Sequence, residues 1–226
     1  MSIRETSGST PRRTFLGRMG AGALGVFAID LGVRPAAASE PGLGEPFVDD
    51  EEWLGRIRGK HKQVVDAVET NSGFAFAYAA NFVAPHRQRG VPARDVTAVV
   101  VLRHQAIPFG FTDPLWQKYK FAENMKIMNF ATGQQATNNF VYKPSAPLPL
   151  PGMAIDELQA QGAVFLLCNV ALTIASSQAA KATGQTPEAV KAEFVSHLIP
   201  GVTVVPSGVY AVNRAQEKGC TYCYGG

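Results

Sequence analysis

Cys168 is the residue in this chain best placed to do chemistry, because it lies between a short apolar run and a segment with helical character. Residues 163–167 have the pattern of a buried strand, and a helix is predicted to begin at Asn169. The first amides of a helix lack intrahelical acceptors and favour an anion just ahead of them. The thiolate is the nucleophilic form of cysteine. Two interpretations follow: a reactive thiolate, or a small apolar side chain that fills the joint between strand and helix.

The elements around Cys168 predict an α/β fold. Strands are predicted at 63–67, 96–102, 163–167 and 202–205, with helices at 73–86, 155–161, 169–183, 187–198 and from 208 to just before 219. Apolar strands that alternate with helices indicate a mostly parallel sheet between helix layers, since such strands are buried on both faces. We therefore expect a three-layer α/β/α domain with about five strands. Residues 105–152 are predicted as an irregular insertion with short helices near 114–121, since four prolines fall within 143–152.

The carboxyl ends of these strands are predicted to bring four loops to one rim, where ligands bind in open α/β sheets. The loops contain Asn71, Ser72 and Gly73; Arg103, His104 and Gln105; Cys168 and Asn169; and Pro206, Ser207 and Gly208. The predicted catalytic residues are Cys168 and His104, and the predicted ligand-binding residues are Asn71, Ser72, Asn169, Ser207 and Gly208. Helix starts on this rim suit an anion or a polarised sulfur. Alternatively, the serines only cap helices and His104 only satisfies backbone groups.

The other two cysteines, Cys220 and Cys223, form a Cys-x-x-Cys pair that follows Gly219. We predict a disulfide or redox pair, with two idle thiols as the alternative and Cys168 as the relay partner of a redox pair. Redox pairs usually open a helix, and this pair lacks that dipole. The four histidines show no metal-ligand spacing, and no Gly-rich phosphate loop is present. Neither a metal nor another cofactor is predicted.

The first 38 residues have the features of an export signal. Arg12 and Arg13 precede Thr-Phe-Leu and an apolar stretch at 19–29, which is too short to cross a bilayer about 30 Å thick. This pattern resembles a twin-arginine signal, with cleavage after the alanines at 36–38 and a periplasmic destination. An uncleaved membrane anchor is the alternative. Residues 39–59 are predicted as a flexible leader, and 60–226 as the folded domain.

The positive charge of the chain is carried mostly by the predicted signal. The 226 residues include 21 basic and 18 acidic side chains, of which residues 1–38 contain five and two. A mature chain with 16 of each gives no support for nucleic acid or an anionic membrane as partner.

Three segments resemble the DsrE/DsrF-like sulfur-handling proteins. They are 161–171 (QGAVFLLCNVA), 200–209 (PGVTVVPSGV) and 215–219 (AQEKG), within a resemblance that covers about residues 60–224. The segment 99–105 is also similar to the strand-then-histidine segment of secreted members. In that family, which has a three-layer α/β/α fold, the cysteine after the strand carries a persulfide, and Cys168 matches its position.

The resemblance implies a sulfurtransferase-like protein that binds or transfers sulfane sulfur as a persulfide on Cys168. Its partner is then a small sulfur species or a sulfur-carrying protein, and its assembly a trimer or hexamer. The alternative is a non-catalytic module on the same fold that binds a small ligand or a partner.

Overall fold

A five-stranded parallel sheet forms the centre of the computed structural model, which describes residues 51–226. Its strands are β1 (His61–Ala67), β2 (Val96–Leu102), β5 (Val164–Cys168), β6 (Val202–Val205) and β7 (Thr221–Tyr224), while β3 (Met128–Asn129) and β4 (Gln134–Gln135) form a separate antiparallel ribbon. The strand order is β6-β5-β2-β1-β7, and every neighbouring pair is parallel. The predicted fold class is confirmed.

Helices cover both faces of this sheet. They are α1 (Phe74–Gln88), α2 (Asp113–Tyr119), α3 (Phe121–Asn124), α4 (Ile155–Ala160), α5 (Asn169–Thr183), α6 (Pro187–Ser196) and α7 (Gly208–Glu217), with 3-10 helices at Glu52–Arg56, Asn71–Gly73, Ala93–Asp95 and His104–Gly110. Helices α1 to α6 contribute to the core on one face, and α7 with Glu52–Arg56 to the core on the other. The chain runs from β1 through β2 and β5 to β6 with helices on the first face, then returns to β7 with α7 on the second. Right-handed crossovers require this change of face.

The central strand β2 explains why the sequence shows a continuous apolar run. All seven of its residues are buried. Val100 and Leu102 belong to the core beneath α1, whereas Val99 and Val101 belong to the core beneath α7. Successive side chains of a strand point to opposite faces, so a strand covered on both sides needs apolar residues at every position.

The predicted insertion at 105–152 is more regular than expected. The short helices predicted near 114–121 are present as α2 and α3, and the proline-rich residues 143–152 contain neither helix nor strand, as predicted, but the 3-10 helix at His104–Gly110 and the β3–β4 ribbon were not predicted. Phe109 and Trp116 are buried with ring centroids 5.4 Å apart, and Phe140 packs edge-on to Phe109. The segment therefore supplies part of the domain core through its aromatic side chains. The sequence does not reveal this contribution, because the spacing of its apolar residues follows neither a helix nor a strand period.

The predicted flexible leader is wrong in its last part. Trp53 and Leu54 are buried on the α7 face of the sheet, and Ile57 is buried beside them. The carboxylate of Glu51 accepts hydrogen bonds from Nε and Nη2 of Arg214, both at 2.7 Å, and from the hydroxyl of Tyr210. The folded domain thus includes residues 51–59. The predicted signal, 1–38, and residues 39–50 of the leader lie outside the described residues.

A membrane-spanning helix is not found within 51–226, where no helix combines sufficient length with sufficient apolarity.

Glu51 is expected to make the stability of the domain depend on pH in the acid range. Hydrogen bonds from Arg214 and Tyr210 lower the pKa of Glu51 from 4.5 to about 2. A carboxyl with a depressed folded-state pKa stabilises the fold above its unfolded pKa, and this stabilisation is lost as the pH falls through the folded value. The difference in urea midpoint between wild type and Glu51→Gln should therefore be constant above about pH 5 and shrink toward pH 2. Glu188→Gln, on the exposed surface of α6, is the control, and a Glu51→Gln difference that stays constant down to pH 2 would contradict the assignment.

Candidate thiol site

Cys168 ends β5 and caps the N-terminus of α5. Its Sγ accepts a hydrogen bond from the backbone N–H of Ala171 at 3.4 Å. That amide is one of the first-turn donors without an intrahelical acceptor, and it lies at the positive end of the helix dipole. Cys168 also lines a cleft of about 890 Å³. The predicted position of the thiol at a strand-to-helix junction is confirmed, and its catalytic role stays a prediction.

Two neighbouring loops complete this end of the cleft, because β5 lies between β2 and β6 in the sheet. The loop after β2 contributes Arg103 and His104, and the loop after β6 contributes Ser207 and Gly208. The Oγ of Ser207 accepts from the N–H of Tyr210 at 3.1 Å and thereby caps α7. Four of the predicted site residues, Cys168, His104, Ser207 and Gly208, therefore line one cleft. The imidazole of His104 is well exposed, with Nδ1 3.8 Å from a carboxylate oxygen of Glu69.

Arg103 is the permanent charge of the site, and the sequence places it on the rim without assigning it a role. Its Nε and Nη2 donate to the two carboxylate oxygens of Asp66 at 2.7 and 2.9 Å. Asp66 is only 3% exposed, and its Oδ2 also accepts from the hydroxyl of Tyr222 at 3.0 Å. The bond to Asp66 raises the pKa of Arg103, and the negative charge of the Cys168 thiolate acts in the same direction. The guanidinium therefore stays charged on the rim of the cleft that Cys168 also lines.

The sequence contains a signal for this pair. Asp66 interrupts the apolar run of β1, and a charge buried in a sheet requires a partner of opposite charge. The partner follows from the register, in which Ala67 lies opposite Leu102 and brings the next residue, Arg103, to the end of β1. Sequence alone does not supply that register.

Gly208 acts through packing on Arg103. A Cβ at this position would lie 2.7 Å from the Cβ of Arg103, which is closer than real side chains approach. The absence of a side chain therefore lets the start of α7 lie directly on the arginine. This close packing leaves no room for a side chain at position 208 without movement of Arg103.

The structure separates the other predicted ligand-binding residues from the cleft. Asn71 and Ser72 lie in the turn after β1, where the side-chain amide of Asn71 donates to the carbonyl of Gly225 at 3.4 Å. The main-chain oxygen of Gly226 accepts from the N–H groups of Val68 and Glu69 at 2.8 and 2.7 Å. The amides after β1 are thus occupied by this chain's own Gly225 and Gly226. Asn169, the first residue of α5, is half-buried and does not line the cleft.

The predicted pairing of Cys220 with Cys223 is wrong. All three cysteines are free thiols, and Cys220 belongs to the core beneath α7 whereas Cys223 packs against the core on the opposite face. Residues three apart in an extended chain point to opposite faces, so the two sulfurs cannot bond. Burial raises the pKa of Cys220 to about 11, and that of Cys223 is raised for the same reason. A relay to Cys168 also lacks contact, because β1 and β2 separate β7 from β5 by about 14 Å.

The cleft itself is mostly apolar and runs beside α5. Its α5 lining is Val170, Ala171, Ile174, Ala175, Gln178, Ala179 and Ala182, and its other apolar lining is Ile107, Pro108, Tyr119, Phe121, Met125 and Val209. Arg103, His104 and Lys126 are its basic residues, and no Asp or Glu of the described chain lines it. Residues 51–226 hold no group of three or more His, Cys, Asp or Glu side chains arranged to bind a metal ion.

Comparisons with known proteins leave the family of this chain open. No protein-family model matches the sequence, and no curated protein is significantly similar to it. Among solved structures, the chain is similar to the protein of unknown function MTH1491 from Methanobacterium thermoautotrophicum. The sequences are 17% identical, the alignment covers 73% of this chain and 98% of that chain, and the TM-score is 0.39. A similarity of this size carries no information about the ligand or activity of the cleft.

Proposed function

We propose that this chain is an exported, DsrE-like, sulfurtransferase-like protein that binds or transfers sulfane sulfur as a persulfide on Cys168. The proposal is carried by one observation: Cys168 Sγ accepts a hydrogen bond from the Ala171 amide in the first turn of α5, in a cleft that Arg103 also lines. Amides and guanidinium both stabilise negative sulfur, which is the form that attacks and the form that the persulfide takes at neutral pH.

The reaction with an inorganic polysulfide has a simple balance. The Cys168 thiolate attacks the terminal sulfur of the polysulfide and forms a new S–S bond to it. The bond between that sulfur and the rest of the polysulfide breaks, and its electron pair leaves with the shortened polysulfide. One sulfur atom in the sulfane state is transferred, and no external oxidant or reductant is needed.

Cys168→Ser is expected to abolish sulfur uptake. After incubation of the full chain with inorganic polysulfide, mass spectrometry of the wild-type peptides should show one added sulfur atom on the peptide that contains Cys168. Cys223→Ser is the matched control, because it removes a partly exposed thiol outside the cleft and should leave that adduct unchanged. A wild-type chain without the adduct, or a Cys168→Ser chain with the same adduct, would show that the proposal is wrong.

A non-catalytic binding module is the second candidate, favoured by the burial of the thiol. Cys168 is 6% exposed, and the walls of the cleft beyond it are mainly apolar. In that case native Cys168 should resist both polysulfide and thiol-alkylating reagents, and it should react only after unfolding. Wild type that takes up sulfur while folded excludes this candidate.

A further inference from the structure

The cleft in front of Cys168 is far larger than an inorganic sulfur species requires. Its volume of about 890 Å³ is in the range of roughly 300 to 1,000 Å³ that is typical of sites for organic ligands. A polysulfide of a few atoms needs only the part next to Sγ. The remaining volume indicates a ligand with a substantial organic body.

The shape of the cleft follows one face of α5. Its α5 lining extends from Val170 to Ala182 at spacings that keep the side chains on one side of a helix. From Val170 to Ala182 the helix rises about 18 Å, so the lined face is long. Ala171, Ala175 and Ala179 leave a shallow channel along it, because their side chains end at Cβ.

The chemistry of the walls points to an apolar body with negative charge. Val170 and Ile174 are 51% and 54% exposed, and Val209, which also lines the cleft, is 66% exposed. Large apolar side chains grouped in this way mark a binding surface. Arg103, which is paired with Asp66, and Lys126 bring positive charge to the lining, and no Asp or Glu of residues 51–226 lines the cleft, so the lining suits an anion better than a cation.

Burial of Cys168 limits which groups reach the sulfur. Because the Cys168 residue is only 6% exposed, we infer that a narrow group entering along the cleft can reach its sulfur and that a broad surface cannot. An unbranched alkyl chain that ends in sulfur satisfies both the long channel and the narrow approach.

On the basis of the proposed function, we propose that the sulfur donor is an organic persulfide, R–S–S⁻. Its long alkyl group R lies along α5, and its anionic outer sulfur contacts Cys168. In the transfer step, Sγ forms a bond to the outer sulfur and the bond between the two donor sulfurs breaks. The Cys168 thiolate supplies the electron pair of the new bond, and the pair of the broken bond leaves on the inner donor sulfur, which takes a proton from the solvent. The products are the anionic persulfide on Cys168 and the thiol R–SH, so atoms, charge and electrons balance.

Alkyl persulfides of increasing chain length, from ethyl to octyl, test the proposal on the full chain. The initial rate of sulfur addition to Cys168, followed by peptide mass spectrometry at subsaturating donor, should rise about twofold to fourfold per methylene group until the cleft is filled. Inorganic polysulfide provides the reference rate. Inert 1-octanol should slow transfer from octyl persulfide and leave transfer from inorganic polysulfide unchanged.

A substitution within the channel separates binding of the alkyl body from the chemistry at sulfur. Ala175→Trp fills the middle of the lined face and should remove the gain with chain length, so that the ratio of the octyl to the ethyl rate falls to about one. Lys181→Trp places the same side chain on an exposed part of α5 outside the cleft and should retain the gain.

The possible failures are distinguishable. No sulfur uptake from any donor overturns the proposed function. Uptake from inorganic polysulfide with no effect of alkyl length overturns the alkyl donor alone. A further outcome is a rate independent of alkyl length in a chain that also forms a concentration-dependent oligomer that Ala175→Trp disrupts. That result assigns the exposed face of α5 to contact with a second copy of the chain, and it also overturns the alkyl donor.

Discussion

Trp53→Ala is expected to lower the free energy of unfolding by about 3 to 5 kcal/mol, the usual cost of deleting a buried tryptophan side chain. Trp53 is 2% exposed and belongs to the core that lies between the sheet and α7. It is also the largest side chain of that core, whose other members are aliphatic residues and one cysteine. The substitution leaves a cavity on the face of the sheet that only α7 and Glu52–Arg56 cover, within the described residues. Urea denaturation followed by circular dichroism measures the change.

Two variants define the control for Trp53. Trp53→Phe keeps most of the apolar area and should cost less than half as much as Trp53→Ala. A chain that begins at residue 60, where the sequence predicts the domain to start, should lose at least as much stability as Trp53→Ala, since it lacks Leu54 and Ile57 as well. A loss below about 1 kcal/mol for Trp53→Ala, the size of an ordinary surface substitution, would mean that residues 51–59 contribute little to the fold.

Elements with a strong local pattern were predictable from the sequence. β2 and α5 begin and end where their patterns place them, at Val96–Leu102 and Asn169–Thr183. The valine-rich run of β2 is buried on both faces, so its local composition alone identifies it. Helix α5 has clear limits, since Cys168 caps its start and Gly184 ends it in the left-handed conformation with φ 69°.

Features that depend on long-range pairing could not be predicted in the same way. The β7 segment, Thr221–Tyr224, has little apolar character, and it is a strand because it pairs in parallel with β1. That pairing places Cys220 and Cys223 on opposite faces and separates them. The sequence pattern shows a Cys-x-x-Cys spacing, but only the strand conformation decides where each sulfur points.

The residues of the candidate site also fall into those that a local sequence pattern predicts and those that depend on long-range pairing. The positions of Cys168, His104 and Ser207 follow from the ends of single strands, so they could be read from local pattern. The pairing of Asp66 with Arg103 and the cleft wall from residues 107–126 could not, because they depend on sheet register and on packing of the aromatic segment. The position of the thiol could thus be predicted from the sequence, whereas the Asp66–Arg103 pair and the cleft in front of the thiol are seen only in the structure.

Arg103→Leu is expected to lower the free energy of unfolding by about 3 kcal/mol and to slow sulfur uptake at Cys168 by about tenfold. Removing one partner of a buried ion pair typically costs about 3 to 5 kcal/mol, because the other charge stays buried without compensation. Asp66 is that charge, with a side chain only 4% exposed, and Tyr222 alone would remain as its side-chain donor. The 27% exposure of the Arg103 side chain places the cost at the lower end. The tenfold effect on rate corresponds to about 1.4 kcal/mol of lost electrostatic stabilisation of the thiolate.

A double substitution separates the two roles of Arg103. Asp66→Asn combined with Arg103→Leu removes both charges, so it should recover much of the stability lost in Arg103→Leu, as replacement of whole buried pairs generally does. Sulfur uptake should remain slow in the double variant, because the cation next to Cys168 is still missing. Urea denaturation and the rate of polysulfide uptake measure the two properties on the same three proteins. If uptake recovers together with stability, Arg103 affects Cys168 only through the integrity of the fold, and its electrostatic role at the thiol is wrong.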